Sequence, residues 1–271
     1  MFLVDSHCHI NKKYYPNGLS QVFQNALDNN VKRIIQSSES VASATESLLF
    51  ARTHKELPEM KILAGVHPHE AKKVSANYIV ELEEVANNPE VVAIGEIGLD
   101  YYYDNSPRDT QVKVFTEQVE LAKKINKPIV LHIRAAEDRT SGDAYRDTFD
   151  ILRKSYNGKV NGVVHCFSGD TEDAKEALDL GLYISFAGPI TYPKNDELRK
   201  IAAMVPVDRI LCETDSPYLA PQKHRGKTNE PAHVKYVYEL VAILKEMKLE
   251  DFSQQVLKNI ERIFNWSASN V

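Results

Sequence analysis

The sequence predicts an α/β protein: a single (β/α)8 TIM-type barrel over residues 1–271, completed by an extra C-terminal helix. Three observations predict it. Eight short β-rich runs recur along the chain, apolar over most of their length as buried parallel strands are. Helical patterns fill the gaps between them. No GxGxxG or Walker-type glycine loop follows any run, which tells against a doubly wound open sheet. The length suits the class, since α/β barrels of ~250 residues fold as one domain.

In chain order the strand runs are Leu3–Ser6, Val31–Gln36, Lys61–Val66, Val91–Gly95, Ile129–Ile133, Val163–Cys166, Tyr183–Phe186 and Arg209–Cys212. Between the fourth and fifth, Val112, Phe115, Val119, Ala122 and Ile125 recur at helical spacing and form one face. After the sixth, Thr171 is placed to cap a helix bearing Ala174, Ala177 and Leu178, which Gly181 would end. After the eighth, a helix is expected from about Pro231 to Lys248, then an amphipathic one carrying Phe252, Val256, Ile260 and Ile263. Ala136–Tyr145 and Pro221–Pro231 read as polar loops. No internal repeat, low-complexity segment or interdomain linker stands out.

With 43% hydrophobic and 26% charged residues and a net charge of −5, the chain is ordinary for a soluble globular protein. That excludes a disordered tail, a collagen-like fibre and a small disulfide scaffold. The mild acidity argues against wrapping duplex DNA by charge alone, though not against engaging a strand end at a local site. Cys8, Cys166 and Cys212 are odd in number and far apart, which fits reduced core thiols and a cytoplasmic setting. Neither a signal peptide nor a membrane-length apolar stretch is evident.

The placement of polar residues carries the chemistry. His7 and His9 end the first run, His67 and His69 the third, Glu96 then Asp100 follow the fourth, His132 and Arg134 the fifth, His165 the sixth, Glu213 and Asp215 the eighth. In a barrel these strand ends converge on one mouth. Residues i and i+2 of a strand point the same way, so His7 and His9 can aim at one ion. Alone this pair is equally a polar strand end. With His132, His165, Glu96 and Asp215 it becomes a donor set for one or two divalent cations. A carboxylate such as Glu96 can bridge two ions. Asp215 could ligate, act as base toward a water, or both, and Glu213 could support a ligand imidazole or act directly. Cys8 and Cys166 alternate to the opposite face and read as core. His54, His69 and His233 read as loop or surface residues. Arg225, Lys227 and Asn229 suit a phosphate grip. Tyr101, Tyr102 and Tyr103 could stack on a base, although three consecutive tyrosines cannot all face one way and at least one is expected as a core or helix contact.

The segments DSHCHI (5–10), GVHPHE (65–70), GEIGLDYY (95–102), PIVLHIR (128–134), HCFSG (165–169), YISFAGPIT (183–191), ETDSPYLAP (213–221) and RGKTNEPAHV (225–234) together resemble the TatD-type metal-dependent deoxyribonucleases, within the amidohydrolase-like barrels. The resemblance covers essentially the whole chain. It implies a TIM-type barrel, two divalent ions, usually Mg²⁺ with Mn²⁺ or Zn²⁺ compatible, and 3′→5′ exonuclease activity on DNA, single strands or 3′ ends. By that likeness His7, His9, Glu96 and Asp215 hold one metal and Glu96, His132 and His165 the other. His67 is an active-site histidine near the scissile phosphate, so Asp215, Glu96 and His67 are the expected catalytic residues. Arg225 and Asn229 match the substrate-contacting loop, with Tyr101 the aromatic contact. The family often reads His-x-Arg-Asp-Ala where this chain has His132-Ile133-Arg134-Ala135-Ala136, and the stretch from Glu137 to Tyr145 is longer than expected. The expected chemistry is metal-assisted phosphodiester hydrolysis, with Asp215 taking a proton from the attacking water and Arg225 offsetting phosphate charge. Two rivals stand beside it: hydrolysis of a small amide, ester or lactone on the same barrel, and a metal-free binding or scaffold protein. No protein partner is implied.

Overall fold

The structure, a computed structural model, describes residues 1–53, 58–139 and 142–267. Its elements alternate: β1 (Leu3–Cys8), α1 (Leu19–Asp28), β2 (Val31–Gln36), α2 (Val41–Thr53), β3 (Glu59–Ala64), α3 (Tyr78–Ala86), β4 (Val91–Asp100), α4 (Arg108–Lys124), β5 (Ile129–Arg134), α5 (Ala144–Ser155), β6 (Gly162–Val164), α6 (Thr171–Asp179), β7 (Tyr183–Phe186), α7 (Asp196–Met204), β8 (Ile210–Cys212), α8 (Val234–Leu244) and α9 (Leu249–Phe264). The strands follow one another as β1 to β8 in a single sheet, and the described pairings, such as β1 with β2 and β4 with β5, are parallel. This is the (β/α)8 order, with α9 as the extra helix.

The described residues group into two compact units, Met1–Gln36 with Ala51–Lys61 and Ile184–Val271, and Ser37–Phe50 with Ile62–Tyr183. In the first unit α9 turns Phe252, Val256, Ile260 and Ile263 inward, and all four are buried. On the same face, buried Asn259 donates to the carbonyls of Val207 and Ile210 at 2.9 and 2.8 Å, fixing the entry to β8. The Tyr238 hydroxyl of α8 donates to the Val4 carbonyl at 3.0 Å and so anchors β1. The fully buried Arg33 of β2 pairs with Glu59 at 2.9 Å, donates to the Trp266 carbonyl at 3.1 Å and lies over the Trp266 ring. A guanidinium removed from water needs that full set of partners.

In the second unit β4 is buried along its whole length. Its path past β5 requires glycine at 98: a Cβ there would stand 1.9 Å from the His132 carbonyl oxygen, and the residue has φ +147°. Two buried glutamines of α4, two helical turns apart, hold the neighbouring backbone. Gln118 accepts from the Val66 N–H at 2.7 Å and donates to its carbonyl at 3.0 Å. Gln111 accepts from the Asp100 N–H at 2.8 Å and donates to the carbonyls of Asp100 and Ser106 at 3.1 and 2.8 Å. Each amide stands in for a missing strand partner beside His67 and at the end of β4.

Several expected boundaries move. β1 and β4 run on to Cys8 and Asp100, so His7 and Glu96 are strand residues, whereas β6 and β8 hold only three residues each. Cys166 lies beyond β6, half-buried and with φ +42°, rather than inside a core strand. Asp170, not Thr171, caps α6: its carboxylate accepts from the N–H groups of Glu172 and Asp173, and Asp173 returns the bond. A carboxylate suits that place because it also meets the positive end of the helix dipole. The helix expected from Pro231 begins as a 3-10 turn at Pro231–His233, and α8 closes at Leu244. Ala144 and Tyr145 belong to α5 rather than to the preceding loop, two residues of which (140–141) lie outside the described residues, as does His54.

Candidate metal centre

In the first unit the donors come from the end of β1 and the loop after β8. His7 in β1 and His9 just past its end flank Cys8 in extended chain, so both rings face one way. Their Nε2 atoms stand 3.2 Å apart. Asp215 joins them with its Oδ1 3.4 Å from His9 Nε2 and 4.0 Å from His7 Nε2. The loop is pinned to the strand by backbone bonds: Asp215 N–H donates to the His7 carbonyl at 2.9 Å, and His9 N–H to the Ser216 carbonyl at 2.6 Å. Asp5, buried in β1, accepts from the Thr214 N–H and hydroxyl at 2.8 and 2.5 Å. Burial pushes the Asp5 carboxyl well above the usual range, opposed by those Thr214 bonds. Asp215 holds φ +54°, a left-handed conformation that this clamp maintains.

In the second unit Glu96 is the focus. Its Oε1 lies 2.7 Å from His132 Nδ1, 2.7 Å from His165 Nε2 and 3.4 Å from His67 Nε2. The His132 and His165 nitrogens are themselves 3.4 Å apart. Behind them Asp100 Oδ2 meets His132 Nε2 at 3.1 Å and His69 Nε2 at 2.8 Å. Burial alone would raise the Asp100 carboxyl, but bonds to His132 and His69 carry it far below the usual carboxylate range. For His132, burial works against charge, and bonds to Asp100 and Glu96 outweigh it and raise the imidazole. Burial, with His132 adding, lowers His67 to about 4, so that ring is neutral. His67 Nδ1 accepts from the His69 N–H at 3.1 Å, which leaves its own N–H on Nε2.

Both clusters suit a divalent cation. Cis donors on a cation with bonds of about 2.1 Å stand roughly 3.0 Å apart. The separations of 2.7, 2.7 and 3.4 Å among Glu96, His132 and His165 lie near that spacing, as do 3.2 and 3.4 Å from His9 to His7 and Asp215, while His7 and Asp215 stand wider at 4.0 Å. With a cation in place of the Nδ1 proton that Glu96 meets here, Asp100 would take the Nε2–H of His132 and leave Nδ1 to ligate, the orienting contact that metal-binding imidazoles use. All donors are nitrogen or hard oxygen.

Other expected contacts fall elsewhere. Asn229 is fully buried, and its amide is wholly engaged within the protein. It donates to the carbonyls of Thr214 and Tyr218 at 2.9 and 2.7 Å and accepts from the Glu230 N–H and His233 Nδ1 at 3.0 and 2.9 Å. With no hydrogen-bonding capacity left for a ligand, it props the Asp215 loop instead of touching substrate. Tyr101 is only 3% exposed, its hydroxyl donating to Asp147 at 3.0 Å and its ring lying under Arg108, so it is core rather than a stacking face. Arg225 lies over the Tyr192 ring at 4.3 Å. Glu213, buried, accepts from the Ser185 hydroxyl at 2.6 Å. His69, in the turn after β3, joins the Asp100 pair, and His233, half-buried, is bonded to Asn229 and stacked on His224. Asp100 went unassigned in the sequence, although its place four residues beyond Glu96 marks the end of the same strand.

A family model described as TatD related DNase matches residues 4–265. The metal-dependent hydrolase YcfH of Escherichia coli K12 is 38% identical over 272 residues, covering all of this chain and 98% of its own. The 3′-5′ ssDNA/RNA exonuclease TatD of Erwinia billingiae is 36% identical over 210 residues, 76% of this chain and 77% of that protein. Among solved structures, YJJV, a TatD homolog from Escherichia coli K12, matches with a TM-score of 0.85 at 28% identity over 98% of both chains. With a shared (β/α)8 fold and relatives matching along nearly its whole length, the chain belongs to the TatD-related DNase family of metal-dependent hydrolases.

Proposed function

We propose that the protein is a divalent-metal-dependent nuclease that hydrolyses phosphodiester bonds in DNA from a 3′ end. The observation that carries this reading is the convergence of two imidazole nitrogens on one Glu96 oxygen at 2.7 Å each, a carboxylate-centred donor set of the kind that phosphodiester cleavage uses. The named activity of the Erwinia billingiae relative supports the nucleic-acid substrate. His7, His9 and Asp215 would hold one cation, and Glu96, His132 and His165 another, with Mg²⁺ the expected occupant. Bound cations supply Lewis acidity toward the phosphoryl oxygen and ease deprotonation of water.

The chain's own residues divide the remaining work. Asp215 accepts the proton of the attacking water. His67, neutral and with its hydrogen on Nε2, donates to a phosphoryl oxygen. Arg225 offers its fork to the phosphate. Asp100 keeps His132 in the ligating tautomer. The test is hydrolysis of 3′- and 5′-labelled single-stranded oligonucleotides with Mg²⁺ and with EDTA, beside a lactone and a ribo-oligonucleotide. Mg²⁺-dependent shortening from the 3′ end is expected, and His132→Ala and Asp215→Ala should each lose at least about a hundredfold in kcat. Equal rates with Mg²⁺ and EDTA, or full activity in both variants, would overturn it.

A further inference from the structure

Beyond the end of β4 the chain turns on Asp100, whose Oδ1 accepts from the N–H groups of Tyr102 and Tyr103 at 3.0 and 2.9 Å. The turn separates three consecutive tyrosines. Tyr101 goes inward, while Tyr102 and Tyr103 stay 43% and 54% exposed. Arg134, paired with Asp100 across the β4–β5 ladder, lies 4.5 Å from the Tyr102 ring and 4.9 Å from the Tyr103 ring. Arg134 follows His132 by two residues on β5, so both side chains leave the strand on the same face. Tyr103 also stands 5.6 Å edge-on from His69, which shares the Asp100 Oδ2 atom with His132. One carboxylate therefore holds a candidate metal ligand through one oxygen and the tyrosine pair through the other.

Two adjacent aromatic rings left in water forgo the stabilisation of burial. The two rings meet edge to face, their centroids 4.8 Å apart at 85°, so one ring can offer a π face to an unpaired nucleobase while the other borders it, and the adjacent guanidinium supplies positive charge for the phosphate. We infer that Tyr102 and Tyr103, braced by Arg134, form a stacking platform for the base of a nucleotide next to the scissile phosphate. The inference rests on the nuclease reading above and adds the subsite that reads the base face. Stacking of this kind is tolerant of sequence, so the platform selects unpaired ends without selecting a base.

The test compares wild type, Tyr102→Ala/Tyr103→Ala and Tyr102→Phe/Tyr103→Phe on two single-stranded oligonucleotides, one natural and one abasic at the three 3′-terminal positions. Wild type is expected to show a KM about tenfold or more higher for the abasic strand. The double alanine variant should show that higher KM on both strands, with the loss in KM rather than kcat. The phenylalanine variant should behave as wild type, since it keeps the rings. A merely structural role would leave the abasic penalty in place in the alanine variant, and that result overturns the platform. Wild type that cleaves both strands with equal KM also overturns it while leaving the nuclease reading intact. Wild type that cleaves neither strand with Mg²⁺, Mn²⁺ or Zn²⁺ overturns both.

Discussion

At the scale of single residues, burial divides ligands from props. Imidazoles and carboxylates two residues apart on a strand were legible as donors because the period of two dictates their shared direction. Which polar residues would turn inward was not legible, because that depends on partners far away in sequence. Asn229 illustrates this: a loop position flanked by Lys227 and Glu230 gives no local sign that its amide reaches Thr214 and Tyr218. Asn229→Ala should therefore cost about 2–4 kcal/mol of stability, since the buried Thr214 carbonyl loses its donor and the Tyr218 carbonyl loses its bond to this amide. Urea unfolding checks this, and an unchanged midpoint with a raised KM would return Asn229 to substrate contact. His233 makes a pH-dependent contribution. Burial first, then His224 and nearby lysines, lowers its folded value to about 4 from an ordinary 6.5. The unfolded chain thus takes up the proton first as pH falls. The contribution of neutral His233 is whole above about pH 6.5 and is lost progressively toward pH 4. Over that window, unfolding midpoints of His233→Asn should fall less steeply than those of wild type. Parallel slopes would contradict the assignment.

At the scale of elements, the apolar runs located every described strand, β2 and β7 with the expected bounds, while the ends of the others shifted. A run of apolar residues reports burial, whereas a strand ends where its ladder of hydrogen bonds ends. Hence β6 and β8 are shorter than their apolar runs, and β4 extends through Glu96 to Asp100. The helical face read through Val112, Phe115, Val119, Ala122 and Ile125 found α4 but missed Gln111 and Gln118, which counted as polar and are buried. Their amides complete backbone valences next to His67 and at Asp100, so α4 acts as a brace for the second cluster. Gln118→Leu should destabilise the protein by about 2–4 kcal/mol, because the Val66 N–H and carbonyl are left buried without partners. It should also lower kcat by displacing the neighbouring His67. A variant with wild-type unfolding midpoint would remove the brace from the picture. At α6 the capping box was missed by one residue, since Thr171 and Asp170 are both good caps and only the geometry chooses.

At the scale of the whole molecule, the fold class agrees with what the strand count implied, and the family and the metal-dependent hydrolase class agree with what the resemblance of the quoted segments implied. Among the described residues no helix is long and apolar enough to cross a membrane. The donor residues were nameable because ligand chemistry restricts the residue types to few, whereas their division into two sets, with Glu96 in both, came only from the resemblance. Their support was not, because Asp5 with Thr214 and Asp100 with His69 act across 209 and 31 positions of chain. Cation binding to the folded state alone should raise the melting temperature with added Mn²⁺ and lower it with EDTA. The most direct measurement is an anomalous difference map from crystals soaked in millimolar Mn²⁺. We expect one peak at about 2.0–2.3 Å from donors of His7, His9 and Asp215, and another at that distance from Glu96, His132 and His165. A map with no peak on either cluster would contradict a metal-dependent mechanism built on these residues.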